Sequence, residues 1–445
     1  MSRRLEIGES TRDIVISNGV GKFPLANAAA EIDRAGRLAA LITAAYPGRL
    51  SGVLERLAPG SVRRRMGRLE RRRTGVSPNR VTSLAVSDAV YQLGRAAAVA
   101  AGETLAPDWL DVFAMRLYGA GAARVLRHMR LNGGIYHYRA GFGHSSISVA
   151  RRLGLIALVN HSVAHPLYFE YLQENGGRFP AEGERPSVGF TWSAIWQDIN
   201  RADAVLVNSR FVLESCVRAG LDRSRLHLVY EGMDDEFLRY LSPRPAPRVA
   251  GTPQFLFAGY FCTRKGAKVL LEALQLTRNS FVLRVAGDVE PRLQAATANL
   301  LKDERLTFLG YVERPELARE YETADALVLP SLSEGWARVT REAMFAGCAL
   351  ITTPNSADVE DGVHGRVVSP GDPAALARAL DWASEHVDEL RSMGAANREY
   401  ATTVLTQRAY GLNLAHVYDE ILMRGPARGS GRVTRRTATP QDARQ

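Results

Sequence analysis

The chain has 445 residues, 46% hydrophobic and 23% charged, a balance typical of a globular protein rather than a disordered or fibrous one. This length is too great for one ordinary core and favours two domains of about 200 residues each. The formal net charge of +10 favours an anionic partner, such as a phosphate-bearing substrate, an acidic lipid surface or nucleic acid.

The apolar runs and the cysteines of the sequence indicate the cellular compartment that we expect for the protein. No run of 18 apolar residues is present, and the first residues, MSRRLEIGES, lack the apolar stretch of a signal peptide. We therefore expect a protein that neither spans a membrane nor is secreted by that route. Cys216, Cys262 and Cys348 lie in different segments without metal-ligand or redox spacing, so we expect them to be reduced and buried in a cytoplasmic protein.

In the first half of the chain, short β-rich runs alternate with amphipathic helical stretches. This pattern is typical of a parallel sheet with helical crossovers. It predicts strands at residues 13–17, 39–43, 134–138, 155–160, 204–208 and 226–230. We therefore expect a doubly wound α/β domain over residues 1–241.

Two segments of this half carry candidate site residues. Gly19 and Gly21 follow the first predicted strand, where a Gly-x-Gly turn either faces a ligand or serves only the turn. The segment IALVNHSVAHP ends a later strand and brings His161 and His165 to the edge of the expected cleft. A histidine there is either structural or chemically active. The histidines of IYHYRAGFGHSS allow the same two interpretations.

Between Arg63 and Arg73 the sequence RRRMGRLERRR carries seven arginines and one glutamate. The simplest interpretation is a solvated helix face. The alternative is a peripheral contact with anionic lipid, which would place the protein on the inner face of a membrane. No aromatic platform or recognised nucleic-acid module accompanies the run, so we do not expect a nucleic-acid partner.

The second half begins after LSPRPAPRVAGTP, whose four prolines and missing apolar pattern predict a linker over residues 242–253. The alternation then restarts and predicts strands at 255–258, 281–286, 306–309, 326–329 and 349–352. We expect a second Rossmann-like domain over 254–404 and a long helix over 405–424 that crosses back to the first domain. The polar tail, 425–445, is expected to be disordered.

The most informative segment is PSLSEGWARVTREAMFAG at residues 330–347, which follows the apolar strand ADALVLP and opens a helix. Open α/β sheets bind ligands at such junctions. If Glu334 and Glu342 both lay on the helix, they would be about 12 Å apart along its axis and about 80° apart around it. This separation suits a nucleotide sugar, whose hydroxyls would donate to the carboxylates while helix-start N–H groups hold its diphosphate. The alternative is a pair of solvated glutamates.

A second segment, FLFAGYFCTRKGAKVLLEAL at residues 255–274, predicts a phosphate site at the first strand-to-helix turn of the second domain. Gly259 has no side chain, so a phosphate group can approach the backbone closely there. Arg264 and Lys265 bring two cations to the mouth of the cleft, where they would stabilise a departing diphosphate. The alternative is two cations that cap the loop in solvent.

Residues 330–347 resemble the E-x7-E motif of the retaining GT-B glycosyltransferases of the group 1, or family 4, type. The flanking segments LTFLGYVERPEL and DGVHGRVVSPGD are similar in context. The resemblance implies two Rossmann-like domains across a cleft. It also implies sugar transfer, with retention, from a nucleotide-sugar donor to a glycan, lipid-linked or small-molecule acceptor. Glu334 would face the donor sugar and Glu342 would bind the ribose hydroxyls.

The chain departs from the family pattern at several positions. The usual glycine and proline inside the motif are Ala337 and Val339. The arginine that family members place directly after the first glycine of the phosphate loop is Tyr260, and we expect Arg264 to substitute for it. Lys265 keeps the family's lysine position.

The resemblance implies the remaining site residues. The expected donor-binding residues are Gly259, Val312, Glu334, Gly335, Trp336, Ala337, Arg338 and Glu342. The expected catalytic residues are Lys265, Arg264, Glu334 and His161, while Gly19 and Gly21 face the acceptor. The sequence contains no Asp-x-Asp, so we expect neither a metal nor another cofactor, and charge neutralisation would fall to the two cations.

Two other functions remain open at this stage. One is a nucleotide-sugar epimerase of the same fold, and the other is a non-catalytic protein that binds a sugar nucleotide or RNA. Turnover of a nucleotide sugar with and without an acceptor distinguishes all three.

Overall fold

The computed structural model describes residues 12–20, 24–47, 69–70, 72–100, 108–131, 133–243 and 251–425. Gly21, Arg71, residues 63–68 of the arginine run and the tail after residue 425 lie outside the described residues. The chain forms two α/β units, each built around one parallel sheet.

The sheet of the first unit has apolar cores on both of its faces. Its strands are β1 Ile14–Ser17, β2 Leu38–Thr43, β3 Val81–Ser83, β4 Gly134–Arg139, β5 Leu155–His161, β6 Ala204–Val207 and β7 Leu226–Leu228. All pair in parallel, in the order β3-β2-β1-β4-β5-β6-β7. Ile14 and Ile16 of β1 enter one core and Val15 enters the other. A strand buried on both faces is apolar throughout, which explains the continuous apolar runs in the sequence.

Helices cover both faces of this sheet. Those within the described residues are α1 Pro24–Arg34, α2 Ala85–Ala100, α3 Asp108–His128, α4 Ser145–Arg152, α5 Pro166–Glu174, α6 Phe190–Arg201 and α7 Arg210–Arg218. Local chemistry sets where they begin. Helix α7 starts after Ser209, whose hydroxyl accepts from the Val212 N–H at 3.2 Å, and α5 starts with a proline in its first turn.

The second unit repeats the architecture with six strands. They are β8 Gln254–Ala258, β9 Val282–Ala286, β10 Leu306–Gly310, β11 Ala326–Leu329, β12 Ala349–Thr352 and β13 Gly365–Val367. All are parallel and lie in the order β10-β9-β8-β11-β12-β13. This unit has one large apolar core, in which the strands and the surrounding helices pack together.

The remaining helices follow in chain order. They are α8 Asp235–Leu238, α9 Ala267–Leu274, α10 Pro291–Ala296, α11 Arg314–Thr323, α12 Arg338–Ala346, α13 Pro373–Glu385, α14 Val387–Val404 and α15 Gln407–Arg424. Helix α12 ends at Gly347, whose φ of +83° is the left-handed conformation typical of a glycine helix end. Within the described ranges, no helix combines the length and the apolar character needed to cross a bilayer.

The structure confirms the predicted α/β class. Each predicted strand is present, with ends that agree to within two residues. The pattern missed Val81–Ser83 and Gly365–Val367, because each of these short edge strands contains a single large apolar residue and so forms no apolar run. All three cysteines are buried and free, as predicted.

The chain passes from the first unit to the second earlier than the proline-rich stretch. Val229 packs in a core of the first unit, whereas Met233 and Phe237 pack in the core of the second. Residues 233–241, which we had assigned to the first domain, therefore pack with the second. Proline content marks an exposed loop, but apolar packing decides where the chain changes unit.

Helix α15 returns to the first unit and packs against it. Tyr410, Leu414 and Tyr418 are buried in the same core as β1 and α1. The Tyr418 hydroxyl lies 2.7 Å from His137 Nδ1 in β4. The chain thus crosses between the units twice, and the Met233 N–H donates to the Leu405 carbonyl at 2.8 Å, joining the two crossings.

Candidate active site

The crevice of the second unit lies between the carboxyl ends of β8 and β11. From β8 the chain continues to β9 and β10 on one side of the sheet, whereas β11 to β13 occupy the other side. Open α/β sheets bind ligands at such a switch point. Both segments that the sequence singled out begin there, because one follows β8 and the other follows β11.

Two glycines shape the loop after β8. Gly259 has a φ of +108°, and a Cβ at this position would stand 3.1 Å from Lys265 Nζ. Gly266 has a φ of +75°, and a Cβ there would overlap the Pro330 carbonyl at the start of the loop after β11. Side chains at either position would strain the backbone and displace a neighbour. The two loops therefore pack directly together, and the turn Thr263–Lys265 carries two adjacent cations into the crevice.

Arg264 and Lys265 share one carboxylate. Glu334 Oε1 lies 2.5 Å from Arg264 Nη1 and 3.5 Å from Lys265 Nζ. The Lys265 and Glu334 side chains are only 12% and 15% exposed, so solvent screens this contact less than a surface ion pair. Arg264 Nη1 also donates to the Ser333 carbonyl at 3.1 Å. Both cations therefore lie in the crevice instead of capping the loop in bulk solvent.

Glu334 lies on a loop, so the geometry expected for two glutamates on one helix does not apply. Helix α12 begins only at Arg338, and Ala337 before it has the extended dihedral angles φ −60° and ψ 133°. The loop is held by its backbone, because the Glu334 N–H donates to the Asn355 carbonyl at 3.1 Å. Residue spacing alone does not show where a helix begins after a strand.

The backbone at the amino-terminal end of α12 has donors that are unpaired among the residues that the structure describes. No side chain caps Ala337, and the N–H groups of Gly335 and Trp336 donate to no group in the described part of the chain. Free N–H groups at a helix start favour anions. The Trp336 ring is buried edge-on against Tyr230, with ring centroids 4.6 Å apart, which fixes the loop beside the first crossing.

Glu342 is buried one helical turn beyond Arg338. Its carboxylate accepts from the Tyr321 hydroxyl and from Arg338 Nε, each at 3.0 Å. Burial raises the pKa of Glu342 above its usual value, while the charge of Arg338 opposes this shift. Arg338 Nη2 also lies 3.5 Å from Asp234, at the start of α8. Glu342 thus has two partners, and a carboxylate has lone pairs for further donors such as ribose hydroxyls.

The first unit has its own switch point, between β1 and β4. Gly19 follows β1 with a φ of +78°, and a Cβ there would stand 2.7 Å from the Phe142 ring. Arg139, the last residue of β4, donates from Nη1 to the Val20 carbonyl at 3.3 Å. Gly19 is therefore required by the turn itself, and it lies where a ligand of the first unit would bind.

His161 ends β5 at the contact between the two units. Its ring is buried, Nε2 lies 3.3 Å from the Ala164 carbonyl, and burial lowers its pKa from 6.5 to about 4. Its neighbour Ser162 touches the donor-side loop, because a Cβ on Gly335 would overlap the Ser162 carbonyl. The structure thus brings the His161 segment and the Glu334 loop together, with a neutral imidazole at the contact.

The other histidines near these strands have structural partners. His165 caps α5, where its Nδ1 accepts from the Leu167 N–H at 3.2 Å. His137 contacts Tyr418, as described above. Burial lowers the pKa of His137 and of His165 to about 3 each. Both rings are therefore neutral parts of the packing.

Two further predicted segments lie apart from the crevice contacts. Val312 follows β10 and packs against the core of the second unit.

In the described part of the arginine run, Arg72 pairs with Asp88 at 2.5 Å and Arg73 pairs with Glu70 at 3.0 Å. These two arginines are therefore engaged with the protein itself.

The sequence did not reveal the residues that join the two units around the cleft. The Tyr230 hydroxyl donates to Asp358 at 2.8 Å, and Asn355 Nδ2 donates to the Gly177 carbonyl at 2.8 Å. Tyr321, which donates to Glu342, was also missed. The members of each contact lie far apart in the chain, so no local pattern could have indicated them.

The whole structure is similar to solved structures that cover most of this chain. HepE of Anabaena in complex with UDP superposes with a TM-score of 0.58 at 16% identity, over 92% of this chain and all of that one. Sucrose-phosphate synthase of Thermosynechococcus elongatus superposes with a TM-score of 0.62 at 18% identity, over 93% of this chain and all of that one. At these identities the likeness concerns the fold. The chain has the GT-B fold, as predicted.

The family comparison concerns the second domain. Residues 252–386 match the model of the family described as glycosyl transferases group 1. The match agrees with the predicted resemblance to the group 1 glycosyltransferases, whereas retention and the roles of the two glutamates stay predictions.

The chain is also similar in sequence to proteins named as glycosyltransferases. A D-inositol 3-phosphate glycosyltransferase of Mycobacterium sp. (strain KMS) is 31% identical over 238 residues, 50% of this chain and 52% of the relative. D-rhamnosyltransferase WbpZ of Pseudomonas aeruginosa is 29% identical over 185 residues, 39% of this chain and 47% of the relative. The chain thus spans about half the length of the curated relatives that it matches.

Proposed function

We propose that the protein is a glycosyltransferase that moves a sugar from a nucleotide-sugar donor to an acceptor. The observation that carries the proposal is the meeting of Arg264, Lys265 and Glu334 at the β8/β11 switch point. Two cations and one carboxylate suit the two parts of a donor, because the diphosphate is anionic and the sugar offers hydroxyl donors.

The donor would replace contacts that the protein makes with itself. Glu334 pairs with both Arg264 and Lys265. A diphosphate would take over both cations and release the carboxylate to accept from the sugar hydroxyls. The free N–H groups of Gly335 and Trp336 would add donors for the anion, and Gly259 would let the backbone approach it.

The nucleoside would lie on the side of Glu342. Its buried carboxylate would accept from the ribose hydroxyls, with Arg338 beside it and the backbone around Ala337 close to the nucleotide. UDP is the first nucleotide to test, since HepE of Anabaena was solved in complex with UDP.

We infer a retaining transfer without a protein nucleophile and without a metal. The bond between the sugar and the diphosphate breaks while Lys265 and Arg264 stabilise the charge on the leaving oxygen. The acceptor oxygen then bonds to the anomeric carbon on the same face of the sugar, and the leaving phosphate oxygen takes the acceptor's proton. His161 would border this reaction as a neutral imidazole, because burial keeps its pKa low.

The acceptor would enter from the first unit, along the Gly19 turn. A glycan, a lipid-linked sugar or a small molecule would suit this place. We infer a cytoplasmic protein, with the arginines between Arg63 and Arg73 as a peripheral contact with the inner face of an anionic membrane. D-inositol 3-phosphate glycosyltransferases among the relatives make a phosphate-bearing acceptor the first to test.

A ligand panel tests the donor site directly. A ligand that binds only the folded protein stabilises it by about 2.7 kcal/mol at a hundredfold excess over Kd. Among UDP, GDP, ADP and CMP, one nucleotide should raise the unfolding temperature, in EDTA as well as without it. The shift should shrink in Glu342→Ala. The proposal of a metal-free donor site fails if no nucleotide shifts the transition or if chelator abolishes the shift.

Turnover then tests the reaction. Consumption of the matching nucleotide sugar should depend on an acceptor, and the product should keep the anomeric configuration of the donor. An epimerase would instead isomerise or release the sugar without an acceptor, and a binding protein would leave the donor intact.

A further inference from the structure

Helix α3 exposes one continuous stripe of aromatic and basic side chains. Trp109 is 62% exposed and Phe113, one turn further along, is 51% exposed. The exposed positions that continue the same face are Arg116, Ala120, Arg124 and Arg127. At 3.6 residues per turn these six positions fall within one narrow sector of the helix. The stripe therefore changes from aromatic at the start of α3 to cationic at its end.

Helix α2 exposes an apolar stripe beside it. Val86 and Leu93 are 69% and 70% exposed, and the intervening and following positions of this face are alanines. The two helices pack side by side, because a Cβ on Gly94 of α2 would overlap the Leu110 side chain of α3. Phe190, 55% exposed, lies next to the start of α3, where the Thr191 hydroxyl donates to the Asp108 carbonyl at 3.5 Å.

We propose that this α2–α3 surface binds the face of an anionic lipid bilayer. Exposed aromatic and aliphatic side chains would enter the boundary between headgroups and acyl chains, while arginines on the same face would reach the phosphates. Arg116, Arg124 and Arg127 make no ion pair with the described part of the chain, so their charge is available to lipid. The chain as a whole carries +10, which draws it to a negative surface.

A bilayer suits this surface better than a protein partner. The apolar groups lie along two adjacent antiparallel helices, since Gly94 faces Leu110 and Gly121 faces Leu84, and the cations continue the aromatic stripe instead of surrounding it. This arrangement matches a helix that lies in the plane of the interface. The surface differs from the Arg63–Arg73 run, and it does not depend on sugar transfer.

The buried face of α3 connects this surface to the acceptor side of the cleft. The Tyr118 hydroxyl donates to the Ile42 carbonyl at 2.9 Å and lies 3.1 Å from the Ser17 hydroxyl, at the end of β1. The turn with Gly19 begins two residues later. A protein docked through α2 and α3 would therefore hold its first unit, which we assign to the acceptor, against the membrane.

Vesicle binding tests the proposal. The full chain is sedimented with vesicles of phosphatidylcholine alone or with 30% phosphatidylglycerol, over a series of salt concentrations. It should bind the anionic vesicles at low salt and release as salt rises. Trp109→Ser with Phe113→Ser, and separately Arg116→Gln with Arg124→Gln and Arg127→Gln, should each weaken binding by about tenfold or more.

Matched variants control for charge and apolarity. Arg292→Gln with Arg378→Gln and Arg408→Gln removes the same charge from exposed positions elsewhere, and should bind almost as well as the unaltered protein. Leu276→Ser with Leu412→Ser removes two apolar side chains elsewhere on the surface, which are 52% and 56% exposed, and should also bind almost as well as the unaltered protein. Thermal unfolding of every variant excludes loss of fold as the cause.

Trp109 also reports its own environment, since it is the exposed one of the five tryptophans. Its emission should shift to the blue on anionic vesicles, and a brominated lipid should quench it.

Equal losses of vesicle binding in the α3 and control variants would overturn the proposal, as would an unshifted Trp109 emission. If only replacement of Arg63–Arg73 abolished binding, the α2–α3 surface would be wrong while the earlier membrane contact stood. If the protein bound no vesicle but still turned over donor, both membrane proposals would fall and the glycosyltransferase proposal would stand.

Discussion

Lys265 is positioned by the shape of its loop. Its side chain is 12% exposed and passes beside Gly259, where there is no Cβ to obstruct it. In the proposed reaction, a cation fixed in this way would stabilise the leaving diphosphate without the cost of reorganising water around it.

Removal of this cation should therefore slow the reaction itself. We expect Lys265→Ala to lower kcat by about 10²-fold or more, with the unfolding temperature close to that of the unaltered protein. Lys268→Ala is the matched control, because Lys268 lies three residues further along, 61% exposed and paired with Glu272. Steady-state kinetics compare the kcat of the two variants with that of the unaltered protein. Near-normal turnover in Lys265→Ala would remove this residue from the mechanism.

Glu342 illustrates how far single residues could be predicted. Its place after a strand and its spacing from Glu334 predict a ligand site, and the structure puts Glu334 on the loop before α12 and Glu342 on the helix itself. The partners of Glu342 were not predictable. Tyr321 comes from α11 and approaches only because α11 and α12 pack together, and the sequence of neither helix records that packing.

At the scale of elements, the donor-side loop is the most constrained segment of the site. Gly335 of this loop packs directly against the first unit. A Cβ on Gly335 would overlap the Ser162 carbonyl and stand 2.7 Å from Asn208 Oδ1. These groups belong to the segments after β5 and β6. The loop of one unit thus closes against the strand ends of the other, with His161 next to the contact.

A methyl group at this position should therefore act on catalysis more than on nucleotide binding. We expect Gly335→Ala to lower kcat by about 10²-fold, because it separates the loop from the acceptor side. The Kd for the nucleotide should rise by a smaller factor, since the substitution shifts the Gly335 N–H while Glu342, Arg264 and Lys265 stay in place within the second unit. Gly75→Ala, whose new methyl would meet only the Ala30 side chain at 3.4 Å, should behave like the unaltered protein. Isothermal titration and kinetics separate the two effects, and a variant with full turnover would contradict this role of Gly335.

Strands could be predicted from sequence more securely than the starts of helices. A strand buried on both faces is mostly apolar, as in β5, where Leu155–Val159 is an unbroken apolar run and every residue as far as His161 is buried. The start of α12 depends instead on hydrogen bonds from Glu334 and Ala337 to the segment after β12. That segment is distant in sequence, so the loop before the helix was mistaken for its first turn.

At the scale of the whole molecule, the two chain segments that cross between the domains form one junction. This junction holds the domains in their relative position. Glu231 and Gly232 lie on the first crossing, and a Cβ on Gly232 would stand 2.6 Å from the Gln407 Cα on the second. Arg341 of α12 joins the same place, since Nη1 donates to the Glu231 carbonyl at 2.6 Å and Nη2 lies 3.2 Å from its carboxylate. The helix that carries Glu342 is thereby tied to the junction.

The Arg341–Glu231 pair should therefore couple the two domains. The side chains are only 4% and 7% exposed, so removal of one partner leaves the other buried and uncompensated. We expect Arg341→Met or Glu231→Gln to lower the free energy of unfolding by about 3–5 kcal/mol, and the double variant to lose less than the sum. Arg218→Met is the control, because its pair with Glu214 is 50% and 53% exposed and should contribute at most about 1 kcal/mol. Denaturant unfolding gives these free energies, and calorimetry should show the domains melting further apart in Arg341→Met than in the unaltered protein. Additive losses in the double variant, or an Arg341→Met as stable as Arg218→Met, would show that the junction holds the domains by its packing alone.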